Sequence, residues 1–167
     1  HKDFHDTSPW DYGAVLNSTA ANAYHGSGMF GTQAPSAVDF RVGRSAGWDG
    51  TNRSSYTYIS MLFASVDGIS KIGSYTGTSS SPSVTITTGF SPRFLLIKRV
   101  DGTRDWCMFD TVRGIDSGGT NDYKLRLNSN AAQSNGQFVD VTSTGFTVQN
   151  VLDVGTNGGE YIYYAHA

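Results

Sequence analysis

Cysteine is nearly missing from this chain: 167 residues hold only Cys107, and proline occurs four times. A lone thiol excludes an intrachain disulfide, so stability has to come from packing and from association with other chains. Charge is scarce as well, at 16% of residues, and the 12 Lys and Arg against 14 Asp and Glu leave a formal charge of −2. Phosphate contacts need clustered basic residues, and no such cluster is visible, which argues against a nucleic-acid partner. No apolar run approaches the roughly 20 residues of a membrane-spanning helix, so no membrane insertion is expected. Helical periodicity is almost absent. No secretory leader pattern opens the sequence. His1 is not an initiator Met and residues 163–167 stop inside a strand-like run, so both ends read as cuts.

What remains is β-forming. Hydrophobic residues make up 38% and aromatic residues 13%, enough for a core, and 20 glycines accompany abundant Ser, Thr and Asn. This suits an all-β, turn-dense extracellular or virion protein better than a cytosolic enzyme. Short clusters of β-branched and aromatic residues bounded by Gly, Ser, Asn and Pro predict strands over residues 14–16, 37–42, 56–64, 69–75, 83–87, 93–100, 105–110, 124–127, 139–141, 145–150 and 160–165. Asp101-Gly102 predicts a hairpin with a tight turn of positive φ between the sixth and seventh of these. Residues 94–97 are continuously apolar, which predicts a central strand covered on both faces. Residues 22–35 read as an irregular loop of the Ω type.

A repeat organises these elements. Tyr12-Gly-Ala-Val-Leu16-Asn17-Ser18-Thr19-Ala20-Ala21 matches Tyr123-Lys-Leu-Arg-Leu127-Asn128-Ser129-Asn130-Ala131-Ala132. Val38-Asp-Phe40-Arg-Val42 answers Thr144-Gly-Phe146-Thr-Val148, Gly50-Thr-Asn52 answers Gly155-Thr-Asn157, and Tyr58-Ile59, ending at Ala64, answers Tyr161-Ile162, ending at Ala167. Self-similarity of this kind marks the unit that folds. The fold expected is an all-β, β-sandwich-like antiparallel module, one complete copy (67–167) preceded by a truncated copy (1–66). Nothing in the first copy answers residues 73–109, so its sheet is expected to borrow strands from a longer chain or a neighbouring subunit.

A family resemblance follows from Gly68-Ile-Ser-Lys71-Ile-Gly73-Ser-Tyr75-Thr-Gly77, Gly89-Phe90-Ser-Pro92, Leu96-Ile97-Lys98-Arg99, Asp105-Trp106 and Phe109-Asp110-Thr-Val-Arg113, closed by Gly145-Phe146 and Tyr161-Ile162-Tyr163. In order and spacing this set resembles the tandem β-modules of tail-fibre and related structural proteins of marine bacteriophages. His1-Lys2-Asp3 resembles the middle of a strand from a preceding module. The resemblance implies a virion structural or host-adhesion role, location in a tail fibre or other surface appendage, self-association of the fibre type with a trimer as its usual form, and other virion proteins and host surface glycans as partners. It brings no catalytic residues and no cofactor.

The residues offer little chemistry of their own. Gly26-Ser-Gly28-Met-Phe-Gly31 matches a dinucleotide fingerprint in letters, but Thr32-Gln-Ala-Pro35 leaves no helix to meet a pyrophosphate. Residues 153–160 carry oxygen ligands on a tight loop without the alternating carboxylates of a calcium site, and read as a turn. His1, His5, His25 and His166 are scattered, with no metal set among them. No nucleophile elbow is present, and Cys107 between Trp106 and Met108 reads as a small buried hydrophobe. Glycan cleavage needs two carboxylates facing across a cleft; the sequence allows a pair such as Asp110 with Asp105, but the 14 Asp and Glu fall mostly in turns. Trp48, Trp10, Tyr12 and the Tyr56/Tyr58 pair lie near loops or strand ends and are the candidates for stacking on a sugar, Trp48 first among them. Core or subunit-interface packing is the competing reading for all of these rings. A carbohydrate-binding module is therefore the alternative to a structural role, and a glycan depolymerase a more distant one.

Overall fold

The computed structural model describes residues 7, 11–25, 36, 38–43, 51–52 and 54–167. Its chain packs as two compact units, His1–Ala14 with Asn22–Leu62, and Val15–Ala21 with Phe63–Ala167. Among the described residues there is no α-helix, and the named strands pair antiparallel throughout.

In the first unit β1 (Tyr12–Gly13) pairs with β2 (Ala23–Tyr24). The Tyr12 ring meets the Tyr24 ring edge-on, with centroids 5.7 Å apart. The His25 amide extends the ladder to the Asp11 carbonyl at 2.8 Å.

The second unit holds β3 (Ser70–Thr76), β4 (Val84–Thr87), β5 (Phe94–Arg99), β6 (Trp106–Asp110), β7 (Asp122–Arg126), β8 (Ser134–Gly136), β9 (Val139–Thr142), β10 (Gly145–Val148) and β11 (Glu160–His166). They form a six-stranded sheet in the order β3-β11-β5-β6-β7-β8 and a three-stranded sheet in the order β4-β10-β9. Period-two alternation decides how the sheets face each other. Leu95, Ile97, Cys107, Phe109, Tyr161, Tyr163 and Ala165 of the larger sheet join Ile86, Val139, Phe146 and Val148 of the smaller in one buried cluster, closed by Phe90, Ile115 and Val154 from loops. This is a β-sandwich core. Phe146 meets Tyr163 edge-on across it at 5.3 Å, and Tyr75 stacks on Tyr161 at 5.0 Å. Gly145 is where β10 comes closest to β4: a Cβ there would lie 2.0 Å from the Ile86 carbonyl oxygen.

Polar groups at one end of the sandwich are tied down. Asp122 accepts the Phe138 and Val139 amides at 2.6 and 2.8 Å, fixing the entry to β9. Burial still pushes its carboxyl above the usual range, helped by Asp140 and Asp116. Lys124 is buried, ion-paired with Asp153 and 4.4 Å from the Phe138 ring centroid. Burial pushes the Cys107 thiol up to about 12, which keeps it an inert core group.

Several expectations need correction. β5 is an interior strand with unequal faces: Leu95 and Ile97 enter the core, while on the outer face Lys98 is buried and Phe94 and Leu96 are half-buried, so the expected cover on both faces is only partial on the outer one. The β5–β6 hairpin exists with a connection over 100–105, and Gly102 is not among the positive-φ glycines. Asp101 serves instead as an acceptor, for the Arg99 guanidinium at 2.7 Å and the Glu160 amide at 3.1 Å. Described residues 38–42 and all of 56–64 lie outside every strand, and 14–16 fall just after β1. At 36–39 the Ser36 hydroxyl takes the Val38 and Asp39 amides at 3.2 and 3.0 Å and curls the chain into a turn. Two short strands stand outside the expected set: β8, small and polar, and the two-residue β2, which falls in the stretch read as an irregular loop.

Candidate functional site: a strapped hairpin on the outer sheet face

Lys98 and Trp106 stand directly opposite each other on β5 and β6, on the face turned away from the core. A lysine and an indole there would normally reach into water. Here they are roofed by Val15–Ala21, an upstream segment that packs with the second unit. The Trp106 indole Nε1 donates to the Val15 carbonyl at 3.0 Å. The Arg104 amide donates to the Thr19 carbonyl at 2.8 Å, and the Lys98 ammonium donates to that carbonyl at 3.2 Å and to the Arg104 carbonyl at 2.8 Å. Lys98 is 0% exposed, and burial lowers its pKa to about 8 against the opposing pull of Cys107 and Asp105. The strap shapes itself: the Ser18 amide bonds the Val15 carbonyl at 3.2 Å, and the Ser18 hydroxyl accepts the Ala20 amide at 3.1 Å.

Beside the strap, Asp105 holds Arg126 at 2.8 Å and Asn128 at 2.7 Å, while Asn128 accepts the Trp106 amide at 2.7 Å. This network locks the start of β6 to the end of β7. Asp110, past the other end of the strand's core, is ion-paired with Arg113 and accepts its amide at 2.9 Å. The two carboxylates once paired for glycan cleavage therefore flank β6 at opposite ends, each neutralised by an arginine, and form no cleft pair.

Of the sugar-stacking candidates, Tyr12 is placed in β1 against Tyr24, half-buried; Trp10 and Trp48 lie outside the described residues, as does the 26–31 glycine motif. His25 contacts the Gly13 carbonyl at 3.2 Å and His166 the Tyr164 hydroxyl at 3.2 Å. Among the described residues no group of three or more His, Cys, Asp and Glu could hold a metal ion. Sequence reasoning missed the strap because its acceptors, and the Arg104 amide among its donors, are backbone groups; only the Lys98 and Trp106 side chains carry a legible donor.

The repeat has a counterpart in backbone register. Tyr12 pairs with Tyr24 and Gly13 with Ala23; their repeat equivalents Tyr123 and Lys124 pair with Asn135 and Ser134, the equivalents of Tyr24 and Ala23. A family model described as a domain of unknown function, DUF7483, matches residues 3–167. The chain belongs to this family. Its match runs through both compact units. No curated protein and no solved structure matches the DUF7483 chain.

Proposed function

We propose that this DUF7483 chain is a structural module of a bacteriophage virion, in a tail fibre or similar surface appendage, that works by assembling with other β-modules and meeting the host surface. The observation that carries the assembly part is segment 56–64. Its Tyr58-Ile59 and closing Ala64 answer Tyr161-Ile162 and Ala167, yet Ile59 is 95% and Leu62 71% exposed, whereas the residues in their register, Ile162 and Ala165, are 8% and 0% exposed. A run of exposed apolar residues in strand-like sequence is a template for added strands. Strands of the β3 and β5 type, from another module or a neighbouring subunit, would flank it as those two flank β11. The virion setting rests on the motif set from Gly68 to Tyr163 and on the turn-rich, weakly charged composition. Many weak contacts presented by repeated modules add up to firm adhesion without a deep pocket.

Light scattering with circular dichroism tests this reading. A β-rich oligomer, a trimer in the fibre arrangement, that dissociates on Leu62→Asp supports it; a β-rich monomer at all accessible concentrations overturns it. The carbohydrate-binding alternative is favoured by the edge-on Tyr12–Tyr24 pair, whose Tyr24 ring is exposed. Its test is glycan-array binding lost in Trp48→Ala with the dichroism unchanged.

A further inference from the structure

The strap has a twin. Leu-Asn-Ser-x-Ala-Ala occurs at 16–21 and again at 127–132. Both stretches close a hairpin of the same register. Both make the same turn bond, Ser18 hydroxyl to Ala20 amide and Ser129 hydroxyl to Ala131 amide, each at 3.1 Å. The first loop spends its carbonyls on Trp106, Arg104 and Lys98. The second is held at its base, where the Leu127 amide and Asn128 bond Trp106 and Asp105, and lies open beyond it, with the Leu127 side chain and residues 129–133 exposed.

We propose that the loop over 126–132 is a second strap, built to lie across the β5–β6 hairpin of another copy of this module. The equivalents of the Val15 and Thr19 carbonyls are those of Arg126 and Asn130, and they would receive the indole of the copy's Trp106 and the amide of its Arg104. The occupant has to be a further copy of the 65–167 module without a strap of its own, because the hairpin of this chain is already under Val15–Ala21. Loop and hairpin are different surfaces, so the contact is heterologous and each joint presents the next open loop. Propagation is head to tail and gives an array that has a direction. The inference needs the repeat geometry and not the virion setting.

The test extends the full chain with a second copy of residues 65–167 after Ala167 and follows amide hydrogen exchange by segmental labelling. The appended Arg104 amide is expected to exchange at least about tenfold more slowly than in a strapless chain. Replacing only 129–132 by glycines, which keeps Asn128 on Asp105 and the Trp106 amide, should release that amide and leave the first one protected. A fast-exchanging appended Arg104 with its Leu95 and Ile97 amides protected overturns the proposal, since the module is then folded and unstrapped. A second measurement covers the case in which the extended chain does not fold. A synthetic peptide of residues 122–136 is added to the full chain with 16–21 replaced by glycines. Saturable slowing of Arg104 exchange supports the proposal, and none at millimolar peptide overturns it.

Discussion

Two kinds of repeated element behave oppositely in this molecule. The 12–24 hairpin reproduces the register of the 123–135 hairpin, while the counterparts of β10 and β11 do not form strands at all. Phe40 and Val42 answer Phe146 and Val148 in sequence, yet they are 38% and 42% exposed while Phe146 and Val148 are fully buried. The difference is where each strand finds its partner. A hairpin carries its partner a few residues away, so closing it is cheap. β10 has β9 beside it but also needs β4, and β11 needs both β3 and β5, from far along the chain. No part of residues 1–66 answers β3, β4 and β5, so the matching residues are left exposed and outside any strand. Strand propensity here is a statement about neighbours as much as about residues.

The largest expected effect separates the two hairpins. Lys124 of the second is buried against Asp153 and Phe138, whereas its counterpart in the first is Gly13. Asp153→Ala leaves that ammonium buried without its carboxylate and should cost about 3–5 kcal/mol in urea unfolding. The double variant Lys124→Met with Asp153→Ala should recover most of the loss. An unchanged single variant would mean that the pair does not anchor the second hairpin.

Next in size is the contrast between the two last strands. Ile162→Ala should cost about 2–5 kcal/mol, and its counterpart Ile59→Ala within about 0.5 kcal/mol for the unassembled chain. If strands from another copy clothe 56–64, Ile59→Ala instead weakens association, read as a rise in the concentration at which light scattering detects oligomers. Equal unfolding costs at both positions would break the comparison outright.

The strap gives a pH signature. Lys98 has its folded pKa lowered to about 8 from 10.5, so between those values the unfolded chain binds more protons and stability rises with pH. The slope is at most about 1.4 kcal/mol per pH unit. Cys107, raised from 9.0 to about 12, acts the other way above pH 9, and Tyr75, Tyr161 and Tyr163, all raised by burial, do so above pH 10. The net curve should rise from pH 8 to 9 and fall above 10. The difference between wild type and Lys98→Met isolates the lysine, and a flat difference from pH 8 to 10 would place Lys98 in water rather than under the strap.

Much of the second unit was legible. β3, β5, β6, β10 and β11 stand out because β-branched and aromatic residues alternate between Gly and Asn, and the sandwich follows from that alternation. The outer face of β5 is covered only in part, Phe94 and Leu96 being half-buried beside the buried Lys98; apolar letters do not say how completely a side is packed. β2 and β8 are invisible singly, the first being two exposed residues and the second small and polar, although the repeat ties each to the other. Asp101-Gly102 was read as a tight turn because the letters do not reveal that the carboxylate already serves Arg99 and Glu160. The strap could not be read, since carbonyl acceptors are the same at every residue.

The smallest effect is the sharpest test of whether the two loops are equivalent pieces in different settings. Ser18→Ala and Ser129→Ala each remove one turn bond to an amide two residues on, worth about 0.5–1 kcal/mol. Only the first loop carries a load. Loosening it moves the Thr19 carbonyl that receives the Arg104 amide and the Lys98 ammonium, so Arg104 exchange should quicken several-fold in Ser18→Ala and stay at the wild-type rate in Ser129→Ala. If both variants quicken it equally, the second loop already supports the first within one chain, and its exposed residues owe their conformation to that contact rather than to a vacancy for another copy.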